Sequence, residues 1–300
     1  MMTSCDNKNP LLEEWDTPFG IPPFEEVQID DYKPAILAAI EEHNREIDAI
    51  VNNPAAPDFE NTIVALDNSG SLFSRVYSVF GSETSINSTP ELMAIETELA
   101  PVVSAHFNEI SLNEKLYERV KTVYDNRENL GLEPDQMRLL TETYKGYERS
   151  GATLPADKKE ELKKINSRLS ELQLKFEQNV LKETAAFNLV VDDEADLAGL
   201  PQAAIDAAAQ RAEEKGMGGM WVFGLDNASV MPFLQYDDNR ELRTKLLNGY
   251  LNRANNGDEN DNKAIIVEMV NLYNQKAKIM GYDNYAEFVL EDRMAKTPEA

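Results

Sequence analysis

Few side chains in this 300-residue chain could do chemistry: its histidines are His43 and His106, and its only cysteine is Cys5. A zinc hydrolase of the H-E-x-x-H type needs two imidazoles one helical turn apart, so that both reach the same ion. His43 and His106 are too far apart in sequence for that motif. We expect each to be a core or inter-helix histidine, and the sequence predicts no catalytic and no metal-binding residue in this chain.

Two short patterns come close to ligand-binding loops but lack essential residues. The glycines within 216–219 would need a further glycine at the position of Trp221 to complete a phosphate-binding G-x-G-x-x-G. The polar residues of 258–262 have the spacing of a calcium loop, but Lys263 stands at its sixth position and Met269 at its twelfth, where Gly and Glu are required. We therefore expect a turn at the first and a polar loop that caps a helix at the second.

The residues around Cys5 match part of a bacterial lipoprotein signal. Small residues, Thr3 and Ser4, precede the cysteine, and a polar tether follows it. The basic and apolar regions that normally precede such a site are missing from this sequence. Two interpretations stay open. Either Cys5 is a lipid-attachment site and the protein belongs to the bacterial cell envelope, lipid-anchored or periplasmic, or Cys5 is an ordinary exposed thiol of a cytoplasmic protein.

Composition restricts the class of protein and its partners. Hydrophobic residues make up 42% and charged residues 28%, a mix that builds a sizeable core in a soluble protein. The 29 basic and 54 acidic residues leave a formal charge of −25, which repels nucleic acid and anionic membranes. No apolar run approaches the roughly 18 residues of a membrane-spanning helix. We expect a monomer with no nucleic-acid partner and no transmembrane segment.

The elements that must position these residues are mainly helices. Apolar residues recur every three or four positions between Lys158 and Val180, which predicts one long helix with a single buried stripe. That stripe comprises Leu162, Ile165, Leu169, Leu172, Phe176 and Val180. Another helix follows Asp30, with Pro34 in its first turn, and a third ends at Gly281. The inward residues of the helix after Asp30 are Ile36, Ile40, Ile47 and Val51, with His43 on the same stripe. The inward residues of the helix that ends at Gly281 are Ile266, Met269, Val270, Tyr273 and Ala277.

Three segments have the composition of short strands, namely 186–191, 221–225 and 231–236. Strands and helices do not alternate regularly, which argues against a doubly wound parallel sheet. The sequence therefore predicts a mainly α fold with a few short strands.

The chain is expected to divide into a polar tether at 1–10, a helical subdomain at 11–150 and a long-helix subdomain at 151–300. Thr297, Pro298 and Glu299 form a good helix start just before the last residue. We interpret the chain as the front part of a longer protein.

Four segments together carry a family resemblance. They are D-F-E-N-T-I at the start of 58–80, E-R-S-G-A-T-L at 148–154, L-S-E-L-Q-L-K-F-E-Q-N-V-L at 169–181, and 221–300 with R-M-A-K-T at 293–297. In these segments the chain resembles the N-terminal portion of the bacterial peptidyl-dipeptidases of the Dcp type. These enzymes belong to the zinc metallopeptidase family of oligopeptidase A and thimet oligopeptidase.

The resemblance implies a mainly α fold with two lobes around a deep substrate channel, of which this multi-helix chain forms one wall. It implies one zinc ion held by H-E-x-x-H and a downstream Glu, where the metal polarises the scissile carbonyl and the motif Glu takes the proton of the bound water. Those residues are not in this chain. The catalytic zinc motif is therefore expected beyond residue 300, and the chain alone is expected to be inactive.

The expected substrates are short, flexible peptides, because a folded protein cannot enter a narrow channel. Enzymes of the Dcp type release dipeptides from the C-terminus of such peptides. Two alternatives stay open: an endopeptidase similar to oligopeptidase A, and a non-catalytic helical interaction module.

Overall fold

A computed structural model describes residues 8–300 of the protein. Helices dominate it, which confirms the predicted mainly α class. The α-helices are α1 (Ile29–Val51), α2 (Ala65–Asn68), α3 (Ser71–Ile86), α4 (Pro90–Ser111), α5 (Glu114–Asp125), α6 (Pro134–Ser150), α7 (Ala156–Ala186), α8 (Gln202–Glu214), α9 (Asn227–Tyr236), α10 (Arg240–Leu251), α11 (Lys263–Ile279) and α12 (Tyr285–Leu290). In the described part of the chain, none of these helices is both long and apolar enough to span a bilayer.

The described chain forms two compact units. The first unit joins the described part of Met1–Glu171 to Leu272–Ala300, and the second unit comprises Leu172–Asn271. The subdomain boundary expected near residue 150 stays a prediction.

The first unit has a core built by helices that are distant in sequence. Residues of α1, α3 and α4 form one buried cluster, and residues of α1, α5 and α6 form another. Helix α1 begins at Ile29, where the Gln28 N–H donates to the Asp31 carboxylate at 2.8 Å and so caps the first turn. Of its predicted inward residues, Ile36, Ile40 and Ile47 are buried, and Val51 at its end is partly buried.

The second unit is built around a two-stranded antiparallel sheet. Strand β1 (Leu189–Val191) pairs with β2 (Trp221–Phe223), with Val190 opposite Val222. Both strands were expected from the sequence, and helices α8, α9 and α10 complete the buried cluster around them.

The strand predicted at 231–236 is wrong, because this segment belongs to helix α9. The Asp226 carboxylate accepts a hydrogen bond from the Ser229 N–H at 3.0 Å and caps the first turn. Val230 and Phe233 are fully buried at a spacing of three residues, which suits a helix. The tertiary burial of that face overrides the strand-like composition.

The long helix predicted from Lys158 is confirmed as α7, and the first part of its stripe is buried as expected. Its buried residues are Leu162, Ile165, Leu169 and Leu172. Further along, Phe176 and Val180 are only partly buried, and Asn179 lies in the interior between them.

The stripe predicted on α11 is wrong at two positions. Ile266 is 47% exposed and Val270 is 53% exposed, whereas Ile265 and Ala277 are buried. The buried face is thus offset by one residue in the first turn. The helix begins with adjacent apolar residues, so spacing alone did not distinguish the two faces.

Candidate functional site

The sequence named one site residue, Cys5, and it lies outside the described residues. Among residues 8–300, no three His, Cys, Asp or Glu side chains are close enough together to hold a metal ion. The described residues therefore do not fit a zinc site. The loops that come close to calcium and phosphate sites have ordinary structural roles.

In the loop that resembles a calcium site, the Asp261 carboxylate accepts a hydrogen bond from the Lys263 N–H at 2.9 Å, at the start of α11. Asn262 is buried and accepts a hydrogen bond from Asn179 at 2.8 Å. This is the helix-capping polar loop that the sequence predicts. In the glycine pattern that resembles a phosphate-binding loop, Gly216 and Gly219 both have positive φ and belong to a turn, as the sequence predicts.

His43 and His106 meet in the core, although they are 63 residues apart in sequence. His106 Nε2 lies 3.0 Å from His43 Nδ1, and His43 Nε2 lies 3.2 Å from the Ser69 hydroxyl. Both histidines are buried, which confirms the predicted core position of each. Their direct pairing was not predicted, because nothing local in the sequence links α1 to α4.

The direction of the hydrogen bonds follows from Ser69. Its hydroxyl donates to the Leu66 carbonyl at 2.7 Å, so it accepts from His43 Nε2. His43 Nδ1 must then accept from His106 Nε2, and His106 Nδ1 is left as an acceptor without a partner in the described structure. Because His43 donates to Ser69, it is not placed to remove the hydroxyl proton. The three side chains form a structural chain rather than a nucleophile with its base.

Burial also keeps this pair neutral. It lowers the pKa of both histidines, and for His106 the neighbouring His43 adds to the lowering. Glu46 acts in the opposite direction on the pKa of His43, and its carboxylate accepts from the Gly70 N–H at 2.7 Å. A Cβ at Gly70, where φ is +70°, would lie 2.6 Å from the His43 ring. Glycine is therefore required at this position beside the pair.

A cavity of about 450 Å³ opens in the first unit among α4, α6 and the first half of α7. Its lining includes Phe107 and Asn108 of α4, Gly146 and Tyr147 of α6, and Asn166 of α7. It falls in the size range of small-ligand sites. The sequence did not predict it.

A partly buried lysine orients the two amides of this cavity. Lys276 Nζ donates to Asn166 Oδ1 at 2.9 Å, and Asn166 Nδ2 donates to Asn108 Oδ1 at 2.7 Å. Burial lowers the pKa of Lys276. Asn108 Nδ2 has no hydrogen-bond partner among residues 8–300.

Comparisons with known proteins show which proteins this chain is similar to. Residues 233–300 match the model of peptidase family M3. Over 292 residues the chain is 37% identical to a dipeptidyl carboxypeptidase of Salmonella typhimurium, covering 97% of this chain and 43% of that protein. The chain resembles the M3 peptidases. The resemblance predicted from the sequence is thereby confirmed.

Other relatives agree with this similarity. The dipeptidyl carboxypeptidase of Escherichia coli is 36% identical over 292 residues, which cover 97% of this chain and 43% of the relative. The oligopeptidase A of Escherichia coli is 30% identical over 295 residues, again 97% of this chain and 43% of the relative. The chain therefore spans less than half of the length of these curated relatives.

Two of the segments that carry the M3 resemblance have clear structural roles. In D-F-E-N-T-I, Asp58 accepts from the Asn61 N–H at 2.7 Å, which caps the turn. The buried Arg119 of α5 donates to Asn61 Oδ1 at 2.9 Å and to the Asn53 carbonyl at 3.1 Å. This segment is thus held to α5 by one guanidinium.

A second arginine joins E-R-S-G-A-T-L to the segment before R-M-A-K-T. Arg149 donates to the Glu291 carboxylate and to the Phe288 carbonyl, both at 2.6 Å. Its guanidinium also lies 4.6 Å from the centre of the Phe288 ring. Residues 142 positions apart in the sequence are thereby joined within the first unit.

Proposed function

We propose that this chain is the N-terminal part of a zinc metallopeptidase that removes dipeptides from the C-terminus of short peptides. The observation that carries the proposal is the similarity of nearly the whole chain to the dipeptidyl carboxypeptidases. The match covers only 43% of the length of each of those relatives. We therefore assign the reaction to the longer protein and not to residues 1–300 alone.

The proposed enzyme holds one zinc ion through residues outside this chain, because the described residues offer no cluster of ligands. The chain itself would supply one helical wall of the peptide channel. The surface that it offers is acidic overall, with a formal charge of −25, so the wall is not suited to nucleic acid.

A metal and activity assay tests this division of roles. Residues 1–300 and the complete gene product are purified in parallel, and their zinc content and peptide cleavage are measured. We expect no stoichiometric zinc and no cleavage for residues 1–300, and one zinc per molecule with cleavage for the complete product. One tightly held zinc per 300-residue chain would contradict the proposal.

The products distinguish the proposed reaction from that of an endopeptidase similar to oligopeptidase A, which the 30% identity to that enzyme keeps as a second candidate. An N-terminally blocked peptide is incubated with the complete gene product, and its fragments are identified by mass. Dipeptides released in succession from the C-terminus support the first reaction, whereas internal cleavage supports the second. The absence of any cleavage would favour a helical interaction module.

We further propose that Cys5 carries a lipid anchor and that the enzyme acts in the bacterial envelope. The support is the sequence Thr3-Ser4-Cys5 and the polar tether behind it. Acyl chains at this cysteine would hold the folded body at a membrane surface. Fractionation of cells that express the wild type and Cys5→Ser tests this. An unchanged membrane fraction, with no basic and apolar region encoded before Met1, would indicate a cytoplasmic protein.

A further inference from the structure

Gly146 is an unexpected residue in the wall of the cavity among α4, α6 and α7. It lies inside α6 with helical backbone, and a Cβ added to it would meet no atom within 4 Å. Glycine destabilises a helix interior relative to alanine, because the unfolded chain has more freedom to lose. Neither close packing nor a positive φ requires glycine here. What the missing side chain does is leave room in the cavity.

The lining of this cavity combines apolar rings with neutral polar groups. Phe107 and Tyr147 supply aromatic surface, and Phe107 is 45% exposed although it is large and apolar. Asn166 and Ser150 supply an amide and a hydroxyl. The residues that line the cavity are all uncharged, although the protein carries a formal charge of −25. A phosphate or another multiply charged ligand would find no counter-charge in such a lining.

The polar part of the lining is held in place before a ligand arrives. Lys276 donates to Asn166 at 2.9 Å, and Asn166 donates to Asn108 at 2.7 Å, so the side-chain amide of Asn166 is fixed on both sides. Groups that are already oriented lose little freedom when a ligand binds. A fixed amide beside aromatic surface suits a ligand that itself combines amide groups with an apolar side chain.

We propose that this cavity binds a large apolar side chain of a short peptide, with the adjoining peptide groups on the side of Asn166 and Ser150. The inference that this peptide is a substrate rests on the proposed peptidase function. The volume of about 450 Å³ admits one aromatic or branched side chain and its flanking peptide groups. A peptide with an acidic residue in the same place would find no cationic side chain in the lining to pair with its carboxylate.

Binding is tested on the complete 300-residue chain, labelled with ¹⁵N, by titration with acetyl-Ala-Phe-amide. We expect saturable shifts of the Gly146 backbone amide and of the Asn166 side-chain amide. The matched ligand is acetyl-Ala-Glu-amide, which we expect to bind about tenfold more weakly or worse, since it loses the burial of the ring. Equal affinity for the two peptides, or no shift at these amides, would overturn the proposal.

A pair of glycine variants locates the site. Gly146→Leu places a side chain in the cavity, and Gly81→Leu makes the same change inside α3, where a Cβ also meets no atom within 4 Å. Thermal unfolding of both variants checks that they fold. We expect Gly146→Leu to raise the dissociation constant about tenfold or more, because the apolar side chain is excluded. Gly81→Leu should leave it unchanged, and wild-type affinity in Gly146→Leu would overturn the assignment.

The complete gene product separates this inference from the proposed function. If Gly146→Leu raises KM for peptides with a large apolar residue and not for alanine-rich peptides, the cavity is a substrate site. If kcat/KM is unchanged for both kinds of peptide, the peptidase proposal stands and the cavity inference fails. If the 300-residue chain binds the peptide but the complete product cleaves nothing, the peptidase proposal fails and the peptide site stands.

Discussion

Helices α7 and α11 were both predicted from apolar residues spaced by three and four, yet only one of them buries the predicted face throughout its first half. In α7, Leu162 and Leu169 are buried as expected. In α11, Ile266 and Val270 are exposed, and the neighbouring Ile265 is buried instead.

The difference lies in how many faces of each helix are apolar. Helix α7 begins with lysines and glutamates on every side but one, so a single stripe can enter the core. Near its start helix α11 has three consecutive apolar residues, Ile265, Ile266 and Val267, which point in three directions around the axis. Spacing therefore predicts that α11 is a helix without deciding which side its neighbours cover.

The largest effect should come from a charge on the buried face of α7. Leu169 is 4% exposed, so Leu169→Asp buries a carboxylate without a partner and should lower the free energy of unfolding by about 3 kcal/mol or more. Ser170→Asp is the matched control, since Ser170 is partly exposed, and we expect a loss under about 1 kcal/mol. Urea unfolding measures both. Equal losses would mean that α7 has no single buried face.

On α11 the test is a truncation at two adjacent positions. Ile265→Ala should lower the free energy of unfolding by about 2–4 kcal/mol, because it removes buried methyl groups and leaves a cavity. Ile266→Ala, at a position that is 47% exposed, should cost less than about 1 kcal/mol. The opposite order would restore the stripe predicted from the sequence, and the contrast with α7 would disappear.

An intermediate effect is expected where α7 departs from its own stripe. Asn179 is buried, and its amide donates to Asn262 at 2.8 Å. Asn179→Ala leaves that acceptor unpaired and should cost about 1–3 kcal/mol. The control Asn188→Ala removes only an exposed local bond and should cost under about 0.5 kcal/mol.

A double-mutant cycle sharpens the Asn179 prediction. Asn262→Ala also removes the bond to the Phe176 carbonyl at 3.1 Å, so it should cost at least as much as Asn179→Ala. If the two side chains act as a pair, their combined effect is smaller than the sum of the single effects. Strict additivity would show that the bond contributes nothing.

The smallest effect concerns Lys276, on the side of α11 that faces Asn166. Burial lowers its pKa, so the unfolded chain binds more protons than the folded protein between that pKa and the ordinary lysine value of about 10.4. Stability should therefore rise with pH across this window. Lys276→Met should remove that rise, which urea unfolding at neutral and alkaline pH would detect. Lys263→Met, at an exposed position, is the control. If stability depends on pH in Lys276→Met just as it does in the wild type, the prediction is contradicted.

Local sequence was enough to place helices α1, α7 and α11 and both strands. The periodicity of α7, the strands at 189–191 and 221–223, and the polar cap before α11 were all predicted from neighbouring residues. Segment 231–236 was the exception, because its composition suits a strand while Asp226 and a buried face make it a helix. Local preferences of this kind are weak, and tertiary burial overrides them.

What the sequence by itself determined is the mainly α class, the acidic composition and the resemblance to the M3 peptidases, since each depends on residue types and on their order along the chain. The tertiary structure alone decided that His43 meets His106 and that Ile265 rather than Ile266 is buried. It also decided that a cavity lies among α4, α6 and α7, with Gly146 in its lining. The physical reason is the same in each case: a helix presents its residues by local geometry, but their partners come from segments tens of residues away.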